Sequence, residues 1–158
     1  MFKDVFDLFQ KTPTSPLFGL MSPIERKKGR ISHVTFNNAM KSILDSFSGS
    51  EAEYVYEVLS AYLQVLKSGL RKYGLEENLT NPTLFRALML LFPTVAERVA
   101  DRYANDYSVG NFENVVGPLF TRLKKADLEK PGSSIAELHE TFKRALRSGF
   151  TIGRGAGK

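Results

Sequence analysis

Cysteine is absent from this chain of 158 residues, and histidine occurs twice. No thiol means no disulfide and no thiolate metal site, and His33 and His139, far apart in sequence, offer little to zinc. No metal and no cofactor is expected. Long apolar runs are missing too: none approaches the ~18 to 20 residues of a membrane span. The opening MFKDVFDLFQ carries Asp4 and Asp7 where a signal peptide would be purely apolar. A soluble protein of the cytoplasm, without membrane partners, is expected. Sustained alternation of apolar and polar residues, the mark of half-buried strands, is likewise lacking.

What is present suits a single helical domain over residues 1–150 with a flexible, glycine-rich basic tail over 151–158. A chain of this length buries roughly two-thirds of the surface of its unfolded form. A hydrophobic fraction of 42% beside 25% charged residues argues against disorder over the bulk of the chain. The net charge of +5 is unevenly spread, being +3 over residues 1–50, −3 over 51–121 and +5 over 122–158. Basic ends around an acidic middle favour an acidic partner, either nucleic acid or a protein surface.

Apolar residues recur at helical spacing throughout. Phe2, Val5, Phe6 and Phe9 share one face of a first helix, which Pro13 and Pro16 end, and a loop runs on to about Arg30. Ser32 is placed to cap a second helix bearing Phe36, Met40, Ile43, Leu44 and Phe47. Ser50 with Glu53 reads as a capping box for a third, whose stripe Val55, Leu59, Tyr62, Leu63, Leu66 and Leu70 forms the expected axis of the core, with Gly74 as its stop. Asn81-Pro82 starts a fourth helix through Leu84, Leu88, Leu91 and Phe92. Pro93 is expected to break or kink it before a fifth through Val95, Val99 and Tyr103. Asn111 is placed to cap a sixth that Gly117-Pro118 divides, and Ser134 with Glu137 opens the last, which carries Ile135, Leu138, Phe142, Ala145 and Leu146 and ends at Gly149. The expected fold is an all-α, irregular bundle of about six or seven helices.

No catalytic constellation emerges. The tail GRGAGK resembles a phosphate-cradling loop superficially, but Gly153 lies one residue too close to Gly157 and neither a hydroxyl nor a helix follows Lys158. The carboxylate pairs Glu51/Glu53, Glu76/Glu77 and Glu97/Asp101 fall at helix starts, in a linker and on polar faces, where capping and solvation account for them. Neither histidine sits in a recognisable nucleophile or metal motif. No enzymatic activity is expected.

Two basic groups are the candidate site. Arg26, Lys27, Lys28 and Arg30 lie without an intervening acid just before a helix N-terminus, a combination that favours anions. Lys143, Arg144 and Arg147, with Arg154 beyond, occupy the last helix and tail, whose exposed side suits a phosphate backbone. Phe36, Phe47, Phe85, Phe92, Phe112, Phe120 and Phe142 fall mostly on apolar stripes, where packing rather than base stacking accounts for them.

Three stretches together, SPLFGLMSPIERKKGRISHVTFNNAMKSIL (15–44), VLSAYLQVLK (58–67) and NPTLFRALMLLFPTV (81–95), resemble the C-terminal helical part of the DGQHR-domain family, which includes DndB-like proteins linked to DNA phosphorothioation. The shared pattern is a Ser-Pro-Leu-aromatic-Gly-Leu turn, a basic Gly-x-Ile-Ser and Thr-Phe-x-x-Ala, with Arg30, Ser32, Thr35 and Phe36 at matching positions. The Asp-Gly-Gln-His-Arg signature and its α/β domain are missing here, so no function of that domain carries over. The resemblance implies a DNA-associated, phage-defence or mobile-element context. The leading expectation is a noncatalytic, DNA-associated regulatory or accessory protein. The alternative is a protein-binding module or inhibitor that occludes a nucleic-acid-processing or defence enzyme.

Overall fold

In the computed structural model, which describes residues 2–22 and 29–147, the chain opens with helix α1 (Phe2–Lys11), whose Val5, Phe6 and Phe9 are buried. Beyond the expected proline-rich turn, β1 (Met21–Ser22) and β2 (Ile31–Ser32) pair in parallel, Met21 opposite Ile31 and Ser22 opposite Ser32. This bridge stands where loop alone was expected, because two-residue strands are too short to carry an alternation. Ser32 then caps α2 (His33–Lys41) as expected, its Oγ accepting the Thr35 amide at 3.1 Å. The apolar stripe continues past the helix into a 3-10 turn over Leu44–Phe47, where the tighter winding carries Phe47 inward and leaves Leu44 38% exposed rather than on the core face.

Helix α3 (Ala52–Lys72) buries the stripe read from sequence, with Val58, Val65 and Gly69 added to it. Its N-cap is Glu51, with no side-chain hydrogen bond, so the Ser50–Glu53 box does not form: Ser50 lies one residue too early. Gly74, at φ 72°, ends the helix as expected. Its amide donates to Arg71 O at 2.9 Å and that of Leu75 to Leu70 O at 3.0 Å, the paired bonds that satisfy the last carbonyls.

Asn81 Oδ1 accepts the Leu84 amide at 3.0 Å and Pro82 occupies the first turn of α4 (Pro82–Tyr103). This helix runs uninterrupted through Pro93, where two helices were expected. Proline removes one donor, and packing on both sides offsets that loss. Phe92 stacks on Phe47 with centroids 5.4 Å apart, and the buried Tyr62 hydroxyl donates to Leu88 O at 2.6 Å. Ala104 and Asn105, both left-handed, terminate α4.

Helix α5 (Val109–Val116) is capped by Ser108 rather than Asn111, whose own amide donates to Ser108 Oγ at 3.2 Å. Gly117-Pro118 divides it from the four-residue α6 (Leu119–Arg122), as the sequence indicated. A five-residue helix that the sequence did not reveal, α7 (Lys125–Glu129), follows, and then α8 (Ile135–Arg147), where Ser134 Oγ accepts the Glu137 amide at 3.2 Å. Leu138, Phe142 and Leu146 are its buried face. Gly149 and the tail lie outside the described residues.

Six helices of eight residues or more among the described residues make this the all-α bundle expected. Helix α4 packs most extensively on α8 and also on α2 and α5, while α3 packs on α1 and α5. At one crossing the backbone of Gly69 lies against the ring of Phe120, and the Tyr73 hydroxyl is shared between Phe120 O at 2.5 Å and Leu123 O at 2.8 Å. Among the described residues no helix is long and apolar enough to cross a membrane.

Candidate anion-binding groove

Of the first basic group, Arg26, Lys27 and Lys28 lie outside the described residues. Arg30 is exposed and follows Gly29, whose φ of 77° turns the chain into β2. The second group is not a single surface. Lys143 Nζ is ion-paired with Glu140 at 2.8 Å. Arg144 Nη2 donates to Thr141 Oγ1 at 3.3 Å and borders a shallow depression shared with Glu137 and Glu140. Arg147 instead faces a different neighbourhood.

That neighbourhood is a groove of about 590 Å³ lined by Arg98, Asp101 and Arg102 of α4, Asn114 and Val115 of α5, Pro118, Arg122 of α6, and Leu146 and Arg147 of α8. Helical geometry places Arg98, Asp101 and Arg102, three and four residues apart, on one face of α4. The α4–α8 packing then brings the end of α8 beside them, and the break at Gly117-Pro118 redirects the chain so that Arg122 arrives from the third side. Arg98 Nη1 donates to Leu146 O at 3.3 Å, and Arg122 Nη1 donates to Ala145 O at 3.0 Å and to Leu146 O at 3.4 Å. Ala145 and Leu146 lie in the last described turn of α8, where carbonyl dipoles favour cations, so both guanidiniums have a structural task there. Arg102 and Arg147 make no ion pair or hydrogen bond among the described residues.

Four guanidiniums therefore converge with one carboxylate, that of Asp101, on the lining. Partial burial pulls the Arg98 pKa below the usual arginine value, and the neighbouring cations Arg102, Arg147 and Arg122 pull it in the same direction. An arginine stays charged throughout the accessible pH range; burial is the largest cause of that shift, and the part due to the three cations marks a positive field that opposes further positive charge. An anion entering the groove would relieve the repulsion. Planar guanidiniums also offer paired N–H donors that match phosphate or carboxylate oxygens.

Elsewhere the polar groups have plainer tasks. Glu76, one of the carboxylates noted in the sequence, receives Arg71 Nε at 2.9 Å, and that hydrogen bond holds its carboxyl below the usual range. Among the described residues, His33 Nδ1 and His139 Nε2 are buried and find no hydrogen-bond partner. His33 borders a cavity of about 320 Å³ with Lys3, Phe6, Asp7 and Asn37. Burial, and secondarily Lys143, lowers the His139 pKa although Glu140 opposes this. Among the described residues no group of histidine, aspartate and glutamate is placed to hold a metal ion.

Sequence reasoning passed over Arg98, Arg102 and Arg122. The first two lie in the acidic middle, where net charge conceals them, yet their spacing of four in a helix was a readable signal. Arg122 shows no such signal, because only the chain reversal at Gly117-Pro118 places it. No protein-family model matches the chain, and neither curated proteins nor solved structures provide a match.

Proposed function

We propose that this chain is a noncatalytic, DNA-associated regulatory or accessory protein that contacts phosphates. The observation that carries this reading is the convergence of Arg98, Arg102, Arg122 and Arg147 on one groove with, among the described residues, a single opposing carboxylate. Arg30, exposed beside the β bridge, and the sequence cluster Arg26, Lys27 and Lys28 would add further phosphate contacts. The resemblance to the helical part of DGQHR-domain proteins supports a phage-defence or mobile-element setting. The test is duplex DNA binding across a salt series. Phosphate contacts release counterions, so log affinity should fall steeply against log salt, and substituting glutamine for Arg102 and Arg147 should flatten the slope by about 1.8, roughly 0.9 per contact. Absence of duplex binding by the wild-type protein at low salt overturns the reading.

A second reading, a protein-binding module that occludes a nucleic-acid-processing enzyme, is favoured by a different surface. Tyr54 and Val109 are each 46% exposed, and Tyr54 is close enough to Tyr107 to help raise its pKa, after burial. Partly exposed aromatics in the acidic middle of the chain suit a partner that is basic and partly apolar. Binding to such a partner would bury apolar area and respond weakly to salt, the opposite signature.

A further inference from the structure

Building on the phosphate-contact reading, we infer that the arginine groove seats two neighbouring phosphoryl groups of an unbranched phosphate chain, either a nucleic-acid backbone or a free polyphosphate, and reads no base. Four guanidiniums against Asp101 leave three positive charges on the lining, more than one phosphodiester can balance. Two of the four are already positioned: Arg98 and Arg122 are tied to the carbonyls of Leu146 and Ala145. A guanidinium has five N–H donors, so each retains donors for a ligand while its side chain is held in place. Arg102 and Arg147, which make no ion pair or hydrogen bond among the described residues, supply the remaining forks.

The lining also selects against other ligands. Among the described residues it contains no aromatic side chain, and base stacking on aromatics is what binds the bases of a single strand. Asn114 is the one neutral hydrogen-bonding side chain among its described residues, too little to pair with a peptide backbone or the edges of a base. Val115 and Leu146 are both buried and add low-dielectric lining, which strengthens the field across the groove. A volume of about 590 Å³ accommodates a short phosphate chain.

The experiment uses the full chain and four probes in calorimetry: inorganic tripolyphosphate, homopolymeric DNA strands of each base, oligoglutamate, and duplex DNA across the salt series. Tripolyphosphate and all the strands should bind, tripolyphosphate should displace the strands, and base identity should have little effect. The R102Q/R147Q double substitution should weaken tripolyphosphate roughly ten- to hundredfold, the usual range for losing charged hydrogen bonds. Asp101→Asn should strengthen it by up to about fivefold, since it removes an exposed opposing charge. A gain of affinity cannot arise from misfolding. The inference is overturned if R102Q/R147Q melts normally and binds tripolyphosphate as the wild type does, if Asp101→Asn weakens binding, or if oligoglutamate outcompetes tripolyphosphate. If tripolyphosphate binds through these residues while duplex DNA does not bind, the groove stands and the DNA reading falls. If duplex DNA binds steeply and R102Q/R147Q leaves that binding unchanged, DNA association stands and the groove falls.

Discussion

Replacing Gly69 by alanine sets two effects of opposite sign against each other. Within a helix the change should stabilise, because alanine exceeds glycine in helix propensity by about 1 kcal/mol. Gly69 lies in α3 where a Cβ would fall within the van der Waals envelope of three carbon atoms of the Phe120 ring. That ring has little room to retreat: Phe120 is 4% exposed and its carbonyl is held by Tyr73. Overpacking costs typically 1 to 3 kcal/mol and occasionally more. An overlap on three ring atoms belongs at the upper end, so after the propensity gain the net destabilisation should be about 2 kcal/mol. For a domain of this size that lowers the melting temperature by about 4 to 8 °C, at about 2 to 4 °C per kcal/mol. Thermal and urea denaturation of Gly69→Ala, Phe120→Leu and the double variant measure the coupling directly, and the double variant should lose less than the sum of the two. A Gly69→Ala protein more stable than wild type would show that Phe120 does not pack on α3 as described.

Tyr62→Phe should cost about 1 kcal/mol or somewhat more by removing a buried hydrogen bond, visible as a lower urea midpoint with unchanged slope. Burial raises the Tyr62 pKa far above the ordinary value near 10, so the folded state favours the protonated phenol; the associated stability is complete below about pH 10 and declines as pH rises above it. Absorbance titration should accordingly show one tyrosine ionising only with unfolding, and ionisation of all six in the folded protein would contradict its burial. Ser134→Ala should destabilise by about 1 kcal/mol as a lost cap, whereas Ser50→Ala should stay within about 0.5 kcal/mol of wild type in the same denaturation assay. Converting Arg26, Lys27, Lys28 and Arg30 together to glutamine should flatten the salt slope of duplex binding by up to about 3.6 if all four meet phosphates, and an unchanged slope would remove this segment from the interface.

Helices with long stripes and strong starts were readable from sequence because each signal is local. Asn81-Pro82, the Ser32 cap and the Leu59–Leu63–Leu66 stripe depend on neighbours within one or two turns. Where two nearby residues could both cap, spacing alone chose wrongly, taking Ser50 over Glu51 and Asn111 over Ser108, because a cap is set by backbone geometry as well as by residue type. Pro93 misled for another reason: the contacts of Phe92 with Phe47 and of Tyr62 with Leu88 are tertiary, and they hold the helix through a residue that locally disfavours it. The groove was least legible. Its arginines come from positions 98, 102, 122 and 147, joined only by the packing of α4 on α8 and the turn at Pro118.

The way α4 is enclosed also bears on how the chain acquires its fold. Its partners α2 and α8 lie about fifty residues away on either side in sequence, and α8 is the most extensive of them. Non-local closure of this kind raises contact order and slows folding relative to a bundle of sequential hairpins. During synthesis, α1 to α3 can assemble early and cover α4 from one side, but the part of α4 that α8 covers stays open until residues 135–147 have emerged. Completion of the core therefore coincides with completion of the arginine groove, since Leu146 and Arg147 belong to the helix that closes both.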